Sequence, residues 1–222
     1  MTDKPKRRYD SDLRREQSDG TRQRIADAAR ELMLTRGYAD TTMGDVAAAA
    51  GVAVQTLYAA CPGGKAGLAK LVYDTTLAGD TAPVAISERP AVAAIIAEPD
   101  PARKLELYAR MVAAMAERIA PVHAVLRAAA GGLGHLLQES ETQRRIGTRG
   151  PAGMLAAAGA LRTGVDADRA ADIIFALTSI EVFERLTTTC GWSIDDYAKW
   201  LASTLTDALL PHQGAEHTQP LD

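Results

Sequence analysis

"TTMGDVAAAAGVAVQTLYAACPGGKAGL", residues 41–68, holds two incompatible readings. From its right-hand end, two glycines before Lys65 and a helical pattern after it look like a phosphate-cradling loop. Such a loop needs Gly, four residues, then Gly-Lys-Ser/Thr. Its backbone N–H groups hold the phosphates, the lysine reaches the β- and γ-phosphates, and the hydroxyl carries Mg²⁺. With Lys65 as that lysine, the first glycine position is Ala59 and the hydroxyl position is Ala66. The residues ahead of the loop read as helix, where the motif requires a buried strand. The nucleotide-loop reading fails on two fixed positions and on context.

From its left-hand end the stretch reads as two short helices around a tight turn. Thr42 followed three residues later by Asp45 is a capping box. A helix from there runs to Ala50, Gly51 breaks it, and a second helix spans about Val54 to Ala60. Residues 43–62 therefore fit a helix-turn-helix. Ala47 is the small residue at the crossing, and Val46, Ala50, Val52 and Leu57 are spaced to plug the angle. The second helix leaves Ala53, Val54, Gln55, Thr56 and Tyr58 on its outer, N-terminal side. When such a helix enters a major groove, those positions meet base edges and phosphates. Gln55 suits adenine bidentately, Thr56 a thymine methyl or a hydrogen bond, and Tyr58 a phosphate. A corner between two helices of an ordinary bundle uses the same turn. The basic first helix, the capping box and the Lys-led helix after the turn weigh toward DNA.

The chain has 222 residues, enough for one large domain or a small one attached to a larger one. It is 47% hydrophobic and 24% charged, with only 5% aromatics, and alanine is abundant, which favours helices. Net charge is -3, yet Lys4, Lys6, Arg7, Arg8, Arg14, Arg15, Arg22 and Arg24 crowd the N-terminal end. A basic end on an acidic body suits a DNA-binding module carried by a domain with another task. Cys61 and Cys190 lie in no CxxC pattern, which gives no structural metal and suggests a reducing compartment. With no apolar leader in "MTDKPKRRYDSDLRREQ" and no run of about 18 apolar residues, a cytoplasmic protein without a membrane span is expected.

Residues 1–18 are polar and without periodicity, and are expected to form a disordered basic arm. A first helix is predicted from Thr21 to Arg36, with Ile25, Ala28, Ala29, Leu32 and Met33 on one face and Gly37 as its stop. Past "CPGG" a helix runs from Lys65 to about Gly79, and a short one covers Ala91 to Ala97. A long helix covers Arg103 to Ile119, with Leu105, Tyr108, Val112, Met115 and Ile119 on one face. Pro121 is predicted to kink or restart the chain and Pro151 to break the helix across 136–161. Two apolar helices, about 166–189 and 194–210, close the fold, the second capped by Ser193. The predicted class is all-α: a three-helix helix-turn-helix domain joined to a larger helical bundle, about nine helices in total.

At this point the sequence resembles the TetR family of transcriptional regulators. The resemblance lies in "TRQRIADAARELMLTRGYADTTMGDVAAAAGVAVQTLY", residues 21–58, then Lys65 and Leu68. "AGD", the "ERP" turn, "EPDP" and "ALTS…GWS…W" resemble one branch of the family. The resemblance implies a homodimer that binds double-stranded operator DNA and releases it when a small-molecule inducer enters the C-terminal domain. It implies DNA contacts from Arg22, Thr42, Ala53, Val54, Gln55, Thr56, Tyr58, Gly64 and Lys65. "CPGGK" departs from the family pattern. Ala60 and Cys61 replace a frequent histidine and aromatic, Lys65 stands one residue further along, and Ala53 replaces a common serine. Backbone N–H groups of Gly63 and Gly64, at a helix N-terminus, are the expected substitutes for the missing phosphate contacts.

The remaining residues carry weaker signals. His123, His135, His212 and His217 have no metal-ligand spacing, and GxSxG, HExxH and GxGxxG are absent. Neither a metal, nor a cofactor, nor an enzyme activity is expected. For a small molecule of apolar or aromatic character the candidates are Tyr108, Met111, Met115, His123, Arg127, Phe175, Thr178 and Glu181, each of which also suits core packing or a solvated face. For the dimer contact they are Ile174, Leu177, Trp200, Leu201, Thr204, Leu205 and Leu209, because two consecutive helices carry more apolar surface than one side of a bundle uses. The expected domains are a DNA-binding domain at 19–66, a ligand-binding and dimerisation domain at 67–212, and a flexible tail at 213–222. The alternative is a helical small-molecule-binding or scaffold protein that has lost DNA binding.

Overall fold

The structure is a computed structural model that describes residues 6–82, 84–129 and 132–212, with side chains from residue 17 onward. The expected tail at 213–222 lies outside the described residues, as do the side chains of Arg7, Arg8, Arg14 and Arg15. Among the described residues every regular element is helical. In chain order these are α1 (Lys6–Asp40), α2 (Met43–Ala50), α3 (Val54–Ala60), α4 (Lys65–Ala78), α5 (Pro90–Ala97), α6 (Pro101–Ala128), α7 (Gly134–Ala157), α8 (Ala167–Leu177), α9 (Ile180–Glu184) and α10 (Ile194–Leu209). The chain divides into two compact units, Met1–Pro83 with Arg118–Leu137, and Val84–Glu117 with Gln138–Asp222.

In the first unit, α1 begins at Lys6, so residues 6–18 are helical where a disordered arm was expected. Between Lys6 and Ser18 the sequence has neither proline nor glycine, and it carries four arginines together with Lys6, Leu13, Glu16 and Gln17, all good helix formers. The regular helix stops at Gly37, whose φ of 82° and ψ of 166° are open to glycine. Ile25, Ala29 and Met33 form the buried face of α1, which packs on α2 and α4. The Thr42 hydroxyl accepts from the Asp45 N–H, and the Asp45 carboxylate accepts from the Thr42 N–H, completing the predicted capping box. Such a cap contributes about 1 kcal/mol. Gly51 ends α2 in the left-handed conformation and donates back to the last turn. Val46, Ala47, Ala50 and Leu57 are buried between α1, α2 and α3.

In the second unit, Lys104 is buried with its ammonium on the Ile95 and Ile96 carbonyls, at 2.6 and 3.1 Å, where it satisfies the C-terminal end of α5. Pro151 lies inside α7 rather than at the predicted break, and Pro121, in the part of α6 that belongs to the first unit, lies inside the helix, so the chain does not restart there. A proline in a helix leaves one carbonyl without its usual donor but does not by itself end the helix when packing holds both sides. The reverse holds at 166–189, where one predicted helix is in fact interrupted. Asp166 caps α8, Ser179 caps a new start at α9, and a wide turn spans Arg185–Thr189. α10 starts on the predicted Ser193 cap. It packs against α8 through Ile174, Leu201, Leu205 and Leu209, all fully buried within one chain.

Candidate functional site

Helix α3 is short, and its burial is confined to one side. Leu57 is fully buried, while Ala53, Val54, Gln55, Thr56 and Tyr58 are exposed. Val54 and Tyr58 are 46% and 53% exposed, one helical turn apart. The side chains of Val54 and Tyr58 thus lie on the outer side of this seven-residue helix, opposite the buried Leu57. Arg22 and Thr42 are exposed as well. The Thr42 hydroxyl also bonds the Asp45 carboxylate at 2.7 Å, so its oxygen and its proton both serve the cap.

The α3–α4 turn is where the structure adds most to the sequence. Cys61 is buried, and burial raises its thiol pKa against the lowering field of Arg22. Gly63 and Gly64 follow with φ of 89° and 64°. With ψ of -131°, Gly64 adopts a conformation that is essentially glycine's alone. The two glycines are thus required by the path of the turn. Their proposed role as phosphate donors is corrected in part, since the Gly64 N–H already donates to the Cys61 carbonyl at 3.1 Å. Lys65 reaches along the surface to the end of α1. Its ammonium donates to the Ala39 carbonyl at 2.7 Å and lies 4.5 Å from the centre of the Tyr38 ring. An ammonium has three donors, so this arrangement leaves N–H groups on the surface.

Gly67 was not singled out from the sequence, and of the described glycines it has the least room for a side chain. A Cβ there would stand 2.0 Å from the Pro62 carbonyl oxygen. The turn therefore folds directly onto the first turn of α4. At the other end of α4, Arg118 donates to the Thr76 and Leu77 carbonyls at 3.3 and 3.0 Å.

The ligand candidates divide between the units. His123 and Arg127 belong to the first, the former buried and the latter exposed. Tyr108, Met111, Met115, Phe175, Thr178 and Glu181 belong to the second, where Tyr108 is buried, Glu181 exposed and the others half-buried. A residue absent from the expected set, Arg144, draws three of these together. Its guanidinium lies 3.7 Å from the Phe175 ring centre, and its Nη1 donates to the Phe175 carbonyl at 2.6 Å and the Thr178 hydroxyl at 3.4 Å. The same charge lowers the Tyr108 phenol pKa, though burial, the larger effect, raises it far above the ordinary value. Nothing in the polar run "QESETQRRIG" marks Arg144 out from Arg145.

The expected dimer residues also need revision. Ile174, Leu201, Leu205 and Leu209 have no exposed surface in a single chain, so they offer a partner nothing. The apolar rows that looked too wide for one bundle are consumed within it. Leu177, Trp200 and Thr204 remain half-buried.

Residues 25–70 match the family model described as bacterial regulatory proteins, tetR family. The chain carries a TetR-family N-terminal domain. Its whole fold agrees with solved TetR-type regulators. It resembles NalD, the secondary repressor of the MexAB-OprM multidrug efflux pump in Pseudomonas aeruginosa, at 21% identity and a TM-score of 0.63, over 89% of this chain and 99% of that one. It also resembles FadR from Bacillus subtilis, solved with stearoyl-CoA, at 20% identity and a TM-score of 0.65, over 83% and 97%. FadR from Bacillus halodurans, a fatty acid degradation regulator, gives 18% and 0.62, over 82% and 96%. No curated protein sequence matches the chain. Among the described residues no helix is long and apolar enough to cross a membrane, and no cluster of His, Cys, Asp and Glu could hold a metal.

Proposed function

We propose that this chain is a ligand-responsive transcriptional repressor of the cytoplasm, which binds a pseudo-palindromic operator as a homodimer and leaves it when a small molecule enters the second unit. The exposed row Ala53–Thr56 with Tyr58, on a helix anchored by the buried Leu57 of a TetR-family domain, carries this reading. In it Gln55 and Thr56 read bases, while Tyr58, Lys65 and Arg22 hold phosphates, and Thr42, whose donors are spent on Asp45, serves the interface as the cap of α2. NalD is a repressor and FadR was solved with an acyl-CoA, which supports both halves of the reading. Half-buried Leu177, Trp200 and Thr204 are the dimer contact.

A genomic selection of bound fragments tests the proposal. It should recover sites with two related half-sites about 34–36 Å apart, or at a related spacing where the DNA bends. Gln55→Ala should cost about 1–3 kcal/mol at one base position and leave binding to random DNA unchanged. Footprints without a repeated half, or equal losses on operator and random DNA, reject the assignment.

The second reading is a helical small-molecule-binding protein that no longer grips DNA. It is favoured by the internal engagement of Lys65 and of the Gly64 N–H. Steep salt dependence of binding to the selected fragments excludes it.

A further inference from the structure

Val54 opens α3, directly after the extended N-cap Ala53, and is 46% exposed. Gln55 and Thr56 beside it are exposed and polar, while the packing of α3 rests on the buried Leu57. The helix does not require a branched apolar side chain at this position. Alanine forms helices more readily and leaves less apolar surface in water. Val54 therefore adds an apolar group to a polar row without serving the helix or the core.

Tyr58, one turn further on, is placed differently. Its ring lies against the α3–α4 turn, where a Cβ on Gly64 would stand 3.7 Å from its Cε1. The tyrosine is thus at the end of α3 that leads into α4, and Val54 is at the opposite end. When a recognition helix lies in the major groove, its N-terminal residues meet the base edges. Few groups there suit an apolar side chain. Phosphates are charged, and the bases otherwise display hydrogen-bond donors and acceptors. Thymine alone adds a methyl group, at C5.

We propose that Val54 reads a thymine in each half-site by packing on its C5 methyl. This rests on the regulator reading above and adds to it a base identity that no hydrogen bond supplies. The contact removes apolar surface of both partners from water, and one buried methyl is worth about a factor of four in affinity. Thr56 carries a methyl of its own, so the assignment requires that the sensitivity to thymine disappear with Val54 alone. Val54 is exposed and alanine is the better helix former, so Val54→Ala should keep the fold, as circular dichroism checks.

The test uses the full chain to select a binding site from a pool of random DNA duplexes. Each thymine of the selected site is then replaced in turn by deoxyuracil, which pairs with adenine in the same way and lacks only the C5 methyl. In anisotropy titrations at fixed salt, one such replacement in each half-site should weaken the unmodified protein about fourfold. The same replacement should leave Val54→Ala unaffected, because the cycle then has no contact left to lose. Val54→Ile, which keeps the branched apolar group, should retain the sensitivity. Three results overturn the proposal and leave the regulator in place: no thymine whose methyl matters, a deoxyuracil penalty that survives Val54→Ala, or an undiminished preference for thymine alongside a uniform loss in Val54→Ala, as packing on a sugar would give. A pool from which no sequence is enriched rejects the regulator and this inference with it.

Discussion

Replacing Gly67 with alanine separates packing from helix propensity at one position. In an exposed helix the change favours folding by about 1 kcal/mol, since glycine has the greater backbone freedom to lose. Here the new Cβ would sit 2.0 Å from the Pro62 carbonyl oxygen and 2.9 Å from its carbon, both backbone atoms that cannot rotate away. Ordinary contact requires the turn to retreat by more than about 1 Å. The turn has little room to do so, because Gly64 donates to Cys61 and the buried Cys61 and Leu68 flank it. Overpacking of this kind costs about 1–3 kcal/mol, and a backbone clash belongs at the upper end. The net loss is then about 2 kcal/mol, or about 4–8 °C in melting temperature for a chain of this size. Gly44 is the internal control. It also lies in a helix, but its Cβ would meet only the Thr42 hydroxyl at 3.7 Å, so Gly44→Ala should raise stability by up to about 1 kcal/mol. Differential scanning calorimetry of both variants decides the matter. Equal melting temperatures for the two would refute the close approach of the turn to α4.

Three further outcomes follow from the contacts described. Arg118→Ala removes both donors from the Thr76 and Leu77 carbonyls, so amide exchange should quicken by about tenfold in the last turn of α4 and stay unchanged in α2. The Asp45 carboxyl is held below its ordinary value, first by the Thr42 hydroxyl, then by the Thr42 N–H, with a smaller contribution from Arg36. Its contribution is therefore present above the unfolded carboxyl pKa and lost as pH falls through the lower folded value. Asp45→Asn should flatten the acid side of the stability curve and leave neutral pH less affected, as followed by circular dichroism. Thr204→Glu, on a half-buried position of α10, should give folded monomers in sedimentation, whereas Leu205→Glu buries a charge and should unfold the unit. A dimer unaltered by Thr204→Glu moves the contact elsewhere.

What could be read in advance was the local chemistry. Thr42 and Asp45 sit three apart, Gly51 and Gly37 lie where a left-handed residue is needed, and Leu57 alternates with exposed neighbours. Each of these signals is complete within one or two helical turns. What escaped depends on residues distant in sequence. Pro151 looks like a break and Pro121 like a kink or a fresh start, yet α6 and α7 run through both, since one missing hydrogen bond need not end a helix. Leu201, Leu205 and Leu209 look surplus until α8 of the same chain covers them. Lys104 reads as a surface lysine, yet its target is the end of the preceding helix. For Gly67 the missing information is steric: the residue is defined by a carbonyl five residues back.

Helix α4 is fastened at both ends by long side chains. At its start Lys65 reaches the Ala39 carbonyl, and near its finish the Thr76 and Leu77 carbonyls receive Arg118. Its 14 residues span about 21 Å between those fastenings. A rod pinned in this way has little freedom to slide along its own axis, and slack cannot accumulate at either joint. A displacement of Arg118 would instead act on the far end of α4 and tilt the rod about the Lys65 joint. The turn at 61–64, closed by the Gly64–Cys61 hydrogen bond and pressed against Gly67, would carry α3 along with the rod as it tilts.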